Sequence, residues 1–254
     1  MTAGQESAAQ LNNLGVAHLE IGQVHEAMLK FIDALKQTTG EVNNDFDTPA
    51  MQPSTDESQA IHKVNVNKEL GETVLKANCP DFFYKAISNR TSAPFIYTRA
   101  IDMVETPLLA YATTNVTNSM ICSAIIIMNL SLVYHLKGVE TSYKSYQRLA
   151  KAQSLYKNSL SLLVNAGVLE DGSQGNPVVD LLALVLLNNL GQASHELQDY
   201  EYSRRIFDRL TCYALSIKPN YYCDAKIAST MDQQKLNFLL NAIILHSPPL
   251  AAAA

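Results

Sequence analysis

The sequence predicts a mainly α protein of antiparallel helical hairpins, with an inserted flexible loop and a small β-ribbon. Three observations predict it. Apolar residues recur at three-, four- and seven-residue spacing through residues 7–38 and again from 116 onward, which lines one face of a helix. Gly22, Gly138, Gly167, Pro177 and Pro219 punctuate those stretches where helices begin and stop. Only residues 81–104 carry β-branched and aromatic runs of strand length. With 254 residues, 47% of them hydrophobic and 17% charged, the chain has enough apolar material for one large core, which excludes a disordered chain or a fibre.

The elements follow in order. Residues 7–38 form two helices joined at Gly22, with Leu11, Leu14 and Ile21 on one stripe and Ala27, Phe31, Ala34 and Leu35 on the next. Periodicity then stops. Residues 39–79 are rich in Thr, Asn, Asp, Pro and Ser and read as a flexible acidic loop, because so polar a stretch cannot offset its chain entropy by burial. In residues 81–104, the runs DFFYKAIS and PFIYTRAIDMV flank Asn89 to Ser92, as strand, turn and strand; an isolated ribbon is marginal, so it must lie on helices. A helix over 116–137 and another over 141–165 make the second hairpin, within 116–166. A third occupies 177–217, and 226–245 is a capping helix, all within one domain of residues 1–254.

Charge and cysteines narrow the function classes. The net charge of −5 sits in residues 41–60, where Glu41, Asp45, Asp47, Asp56 and Glu57 meet no Lys or Arg, so the remaining chain is neutral. Without a basic face, a nucleic-acid or anionic-membrane binder is not expected. The four cysteines (Cys79, Cys122, Cys212 and Cys223) include no CxxC and read as reduced, mostly buried thiols. MTAGQESAAQ has neither a basic region nor an apolar run, so a cytosolic or nuclear protein is expected. The apolar run at 119–136 approaches membrane-spanning length, but Asn129, Ser131 and His135 interrupt it, which favours a helix buried in a stack.

The hairpins repeat. NNLGVAHLEIGQVHEA and NNLGQASHELQDYEYS align without a gap. Leu14-Gly15 is followed by Ala27, Phe31 and Ala34, and Leu190-Gly191 by Ser203, Phe207 and Leu210, at spacings of 13, 4 and 3. The middle pair has Leu130-Ser131, then Ala152, Tyr156 and Ser159, with nine residues inserted between its helices. This spacing resembles the tetratricopeptide repeat, in which small residues let two helices approach and a ring fills the gap beside them. The resemblance covers about 110 residues and implies hairpins stacked right-handed. It departs from the family in having Leu14, Leu130 and Leu190 separated by 116 and 60 residues rather than a regular period of about 34.

What the resemblance implies for function is a concave groove, lined by the first helix of each hairpin, that holds a peptide or helix of another protein. By position, the groove residues are Asn12, Asn13 and Val16, then Met128, Asn129 and Leu132, then Asn188, Asn189 and Gln192. A carboxamide both donates and accepts, so the Asn row suits an extended backbone; the same residues also suit tying helices together, and both readings are open. The basic residues of a carboxylate clamp are absent. The alternative is a structural or assembly subunit using the β-ribbon or an apolar helix face. An enzyme with a pocket near His18, His135 and His195 has less support: no HExxH, GxGxxG, phosphate loop or GxSxG occurs, and neither metal nor cofactor is expected. Glu20 and Glu196 share the repeat phase and read as solvated edge residues. Ser54 and Thr48 in the acidic loop have kinase-like contexts, against a plain solubilising linker.

Overall fold

The computed structural model describes residues 7–39, 96–103, 115–140, 144–169, 176–218 and 225–246. The expectations for the acidic loop and the first ribbon strand lie outside these residues. Among the described residues the structure has seven helices: α1 (Ala8–Glu20), α2 (Val24–Thr39), α3 (Asn115–Val139), α4 (Ser145–Asn165), α5 (Pro177–Glu196), α6 (Tyr200–Ser216) and α7 (Ala225–His246).

Local chemistry sets their ends. At α1, the N–H of Gln10 donates to Ser7 Oγ and the N–H of Ser7 to Gln10 Oε1, so two otherwise orphaned donors are satisfied. At α5, Asn176 Oδ1 accepts from the amides of Val178 and Val179 while Pro177 opens the helix. Asp199 Oδ1 accepts from the amide of Tyr202 at the start of α6. Gly22 (φ +80°) and Gly167 (φ +69°) turn the chain out of α1 and α4 in the left-handed conformation that glycine adopts without strain. Gln198 occupies the position equivalent to Gly22 in the aligned repeat and takes the same conformation, φ +64°, with a side chain that resists it.

Each helix packs on the next, and α1 touches α3, α3 touches α5 and α5 touches α7. The even helices α2, α4 and α6 do not touch one another. Odd helices drawn together and even helices splayed apart make a two-layer stack that curves toward its odd-helix side.

The repeat spacing has a steric meaning here. A Cβ added to Gly15 would lie 2.6 Å from Phe31 Cε1, and one added to Gly191 would lie 2.7 Å from Phe207 Cζ. Both rings are fully buried. In the second hairpin, Ser131 and Tyr156 hold the equivalent positions and are buried as well. Ser159 Oγ donates to the carbonyl of Ala124, and Ser203 Oγ to that of Gly191, so small hydroxyls seal the helix contacts where the first hairpin has alanines.

Two helical segments, Ser119–Val139 and Pro177–Glu196, are long and apolar enough to cross a membrane, yet their neighbours cover most of each. The sequence reading singled out only the first. Burial around the whole circumference of a central helix explains the missing polar stripe on both. The thiols differ from expectation: Cys122 is half-buried, its thiol pushed up by desolvation, and Cys212 is exposed on the outer side of α6.

Residues 96–103 carry the main departure. Expected as the second strand of a ribbon, they form no strand ladder among the described residues. They run instead across the odd helices as a strap, from α5 past α3 to α1.

Candidate functional site

The strap is held by asparagines. Asn13, Asn129 and Asn189 occupy the same position in the three hairpins, and each brackets one strap residue. The amide of Tyr97 donates to Asn189 Oδ1 at 2.9 Å, and Asn189 Nδ2 donates back to the carbonyl of Tyr97 at 3.0 Å. Ile101 exchanges the same two bonds with Asn129 at 2.8 and 2.9 Å, and Met103 with Asn13 at 2.7 and 2.7 Å. A carboxamide that both accepts from and donates to one residue reproduces a paired residue of an antiparallel ladder. Residues 97, 101 and 103 are separated by even numbers, so an extended chain turns their polar groups to one edge. That edge faces the helices.

A second set of asparagines fixes the first. Asn12 Nδ2 donates to Asn13 Oδ1 and to the carbonyl of Ile101, while Asn12 Oδ1 accepts from Asn129 Nδ2. The third hairpin repeats the scheme: Asn188 Nδ2 donates to Asn189 Oδ1, and Asn188 Oδ1 accepts from Asn241 Nδ2 on α7. Each consecutive Asn pair thus has one member on the strap and one linking to the next odd helix. Ile96 and Met103 are buried at the ends of the strap, and Tyr97 rests against Phe238 of α7, their ring centroids 5.9 Å apart.

A polar chain continues behind the third bracket. Asn189 Nδ2 also donates to Tyr156 Oη at 3.3 Å, which lies 3.3 Å from His135 Nδ1. His135 Nε2 lies 3.2 Å from Glu196 Oε2, and Gln192 Nε2 donates to Glu196 Oε1 at 2.8 Å. Burial pushes the Tyr156 hydroxyl well up; the Asn189 hydrogen bond works the other way, and the Glu196 charge adds to the rise. The side-chain Oε1 of Gln192 is buried with no hydrogen-bond partner among the described residues.

All nine groove residues expected from the sequence therefore lie on or beside the odd-helix face, but not in an open groove. Asn12, Asn129, Asn188 and Asn189 are fully buried and Asn13 half-buried; Val16, Met128, Leu132 and Gln192 are buried, the first two in the main hydrophobic core. The asparagines pair with extended backbone of their own chain and also tie helices together. The histidines do not converge: His18 bonds Gln23, His195 stacks edge-on against Tyr200, and only His135 joins the polar chain. Glu196 is its nearly buried partner rather than a solvated edge residue. Asn241 and the His135–Glu196 pair were missed, being 53 and 61 residues from their partners with no local motif to mark them.

One acidic side chain is shifted. Asp102, exposed between two bracketed residues, is pushed up to about 6 by partial desolvation, with the Glu20 carboxylate adding to the rise. Searches of protein-family models, curated proteins and solved structures find no match to this chain.

Proposed function

We propose that this chain is a non-enzymatic interaction scaffold of tetratricopeptide-like build, acting in the cytoplasm or nucleus, whose odd-helix face grips extended main chain of a protein or peptide partner. The observation that carries this reading is the ladder of Asn13, Asn129 and Asn189, three equivalent positions that each hold both polar groups of one extended residue. Bonds of this kind are made to main chain, so they select an extended shape more than a sequence. In the resting chain the strap takes that place as a built-in peptide.

The test replaces residues 96–103 by an equal length of Gly and Ser and adds a labelled peptide of residues 94–105. With helical circular dichroism retained, the peptide binds one to one, and a further Asn129→Ala change abolishes binding. A folded, strap-less chain that ignores the peptide refutes the reading.

A second reading, an assembly subunit, is favoured by α7. Leu236, Leu240, Ile243 and Ile244 are exposed at helical spacing on the last described helix of the stack, where the end of a stacked array ordinarily presents polar residues. Sedimentation of the intact chain as a monomer at high concentration removes this reading; an oligomer dissolved by Leu236→Lys with Ile243→Lys supports it.

A further inference from the structure

The apolar ridge on α7 can be placed in the repeat by a hydrogen bond. Asn241 donates to Asn188 as Asn129 donates to Asn12, so Asn241 holds on α7 the position of Asn129 on α3. Counted from it, Leu236, Leu240, Ile243 and Ile244 fall on the positions of Ala124, Met128, Ser131 and Leu132, all fully buried in α3. The same four positions are buried in α5. On α7 they are 52, 38, 67 and 51% exposed. The ridge is thus a face that the fold buries between helices, turned here to solvent.

A further hairpin of the repeat does not fit this face. The position of Gly15 and Gly191 is small because a ring of the next helix lies on it: an added Cβ would stand 2.6 Å from Phe31 and 2.7 Å from Phe207. Ile243 fills that position on α7. At the position of Asn12 and Asn188, which link one odd helix to the next, α7 has Leu240. Aliphatic side chains replace both the small seat and the polar link, and residues 236–244 include no charge, so the face calls for an apolar helix surface. Leu215 widens it: two turns along α6 from Asp208, which bonds His246, it borders the ridge and is 69% exposed.

The ridge is complementary to itself. With a second copy turned antiparallel about Leu240, Leu236 meets Ile244 and Leu240 meets Leu240. The same rotation brings exposed Asp232 at one end to exposed His246 of the other copy, two residues or about 3 Å from exact register. Helix ends of opposite polarity then lie together. A parallel pair would set Asp232 against its own image. Resting on the assembly reading above, we propose that the chain forms a two-fold dimer through α7, the two helices antiparallel with Leu240 on the axis. Such an interface closes on itself, so it covers both ridges and recruits no third chain.

Charge pairing on the axis tests the inference with the full chain. Sedimentation equilibrium at about 100 μM is expected to give a dimer. Leu240→Lys and Leu240→Glu each set like charges on the axis and are expected to weaken association by about a hundredfold or more, leaving monomers. An equimolar mixture of the two is expected to dimerise again, because only residue 240 against residue 240 sets Lys opposite Glu. Leu236→Lys mixed with Ile244→Glu repeats the test at the flanking contact, and helical circular dichroism checks the fold of every variant. An intact chain that stays monomeric at that concentration overturns the inference and the assembly reading together, and leaves the ridge to a different partner. An oligomer that survives both Leu240 variants overturns the inference alone, since another face then holds the assembly. Variants that are monomeric alone and remain so when mixed overturn the antiparallel axis.

Discussion

Replacing Asn129 by Ala removes the centre of the ladder, and the loss can be worked out from its contacts. Three hydrogen bonds disappear: the amide of Ile101 to Oδ1, and Nδ2 to the carbonyl of Ile101 and to Asn12 Oδ1, all at 2.8 to 2.9 Å. At a net value of about 1 kcal/mol each, they amount to about 3 kcal/mol. Two groups lose their partner in a site where Asn12 and Asn129 are fully buried, the Ile101 amide and Asn12 Oδ1. The Ile101 carbonyl is spared, because Asn12 Nδ2 still reaches it. Leaving a buried acceptor unpaired costs about 1–3 kcal/mol, so Asn129→Ala is expected to lower unfolding stability by about 3–5 kcal/mol. Against a typical total of about 5–15 kcal/mol this is a large fraction. Urea unfolding followed by helical circular dichroism measures it. Asn13→Ala, at a half-buried position, serves as the milder comparison, with an expected loss of about 1–2 kcal/mol. A loss below about 0.5 kcal/mol for Asn129→Ala, the level of an ordinary surface change, would refute the ladder as a structural unit.

Three further outcomes follow from the same contacts. Gln198→Gly is expected to raise stability by about 0.5–1 kcal/mol, since it restores at φ +64° the residue that the first repeat already has at φ +80°; unchanged or lower thermal stability counts against a strained turn. Gly191→Ala is expected to destabilise by about 1–3 kcal/mol, because the new Cβ meets the buried Phe207 ring at 2.7 Å, and a variant as stable as the original contradicts that packing. The docked strap binds the Asp102 proton more tightly than the free strap, with a value raised from 3.8 to about 6, so its docking strengthens as pH falls below 6 and the gain is complete near 4. Protease nicking within residues 96–103 should therefore slow between pH 7 and pH 5 and lose that pH dependence in Asp102→Asn.

The helices were legible because their signals are local. Ser7 with Gln10, Asn176 before Pro177, and Gly22 all act within one turn, and the Gly15–Phe31 and Gly191–Phe207 pairs recur at fixed spacing. The equivalence of Asn13, Asn129 and Asn189 was legible for the same reason, as one position of a repeat. Their occupant was not. The sequence offered a row of asparagines suited to extended backbone and, separately, an extended run at 94–104, but strand logic gave that run another strand as its partner. Asn13 and Met103 are 90 positions apart, and no local signal joins the two. Side-chain carboxamides took the place of a neighbouring strand, and periodicity does not register such a substitution. The His135–Glu196 contact escaped likewise, since a search at helical spacing detects pairs along one helix and this pair bridges α3 and α5.

Amide hydrogen exchange along the strap tests the central claim most directly. Tyr97, Ile101 and Met103 donate their amides to Asn189, Asn129 and Asn13, whereas Ala100 and Asp102 turn theirs to the other edge. Protection of the three bracketed amides by about a thousandfold or more, with fast exchange at Ala100 and Asp102, is the predicted result. Free exchange at all five would contradict the account, because the asparagines would then hold no strap.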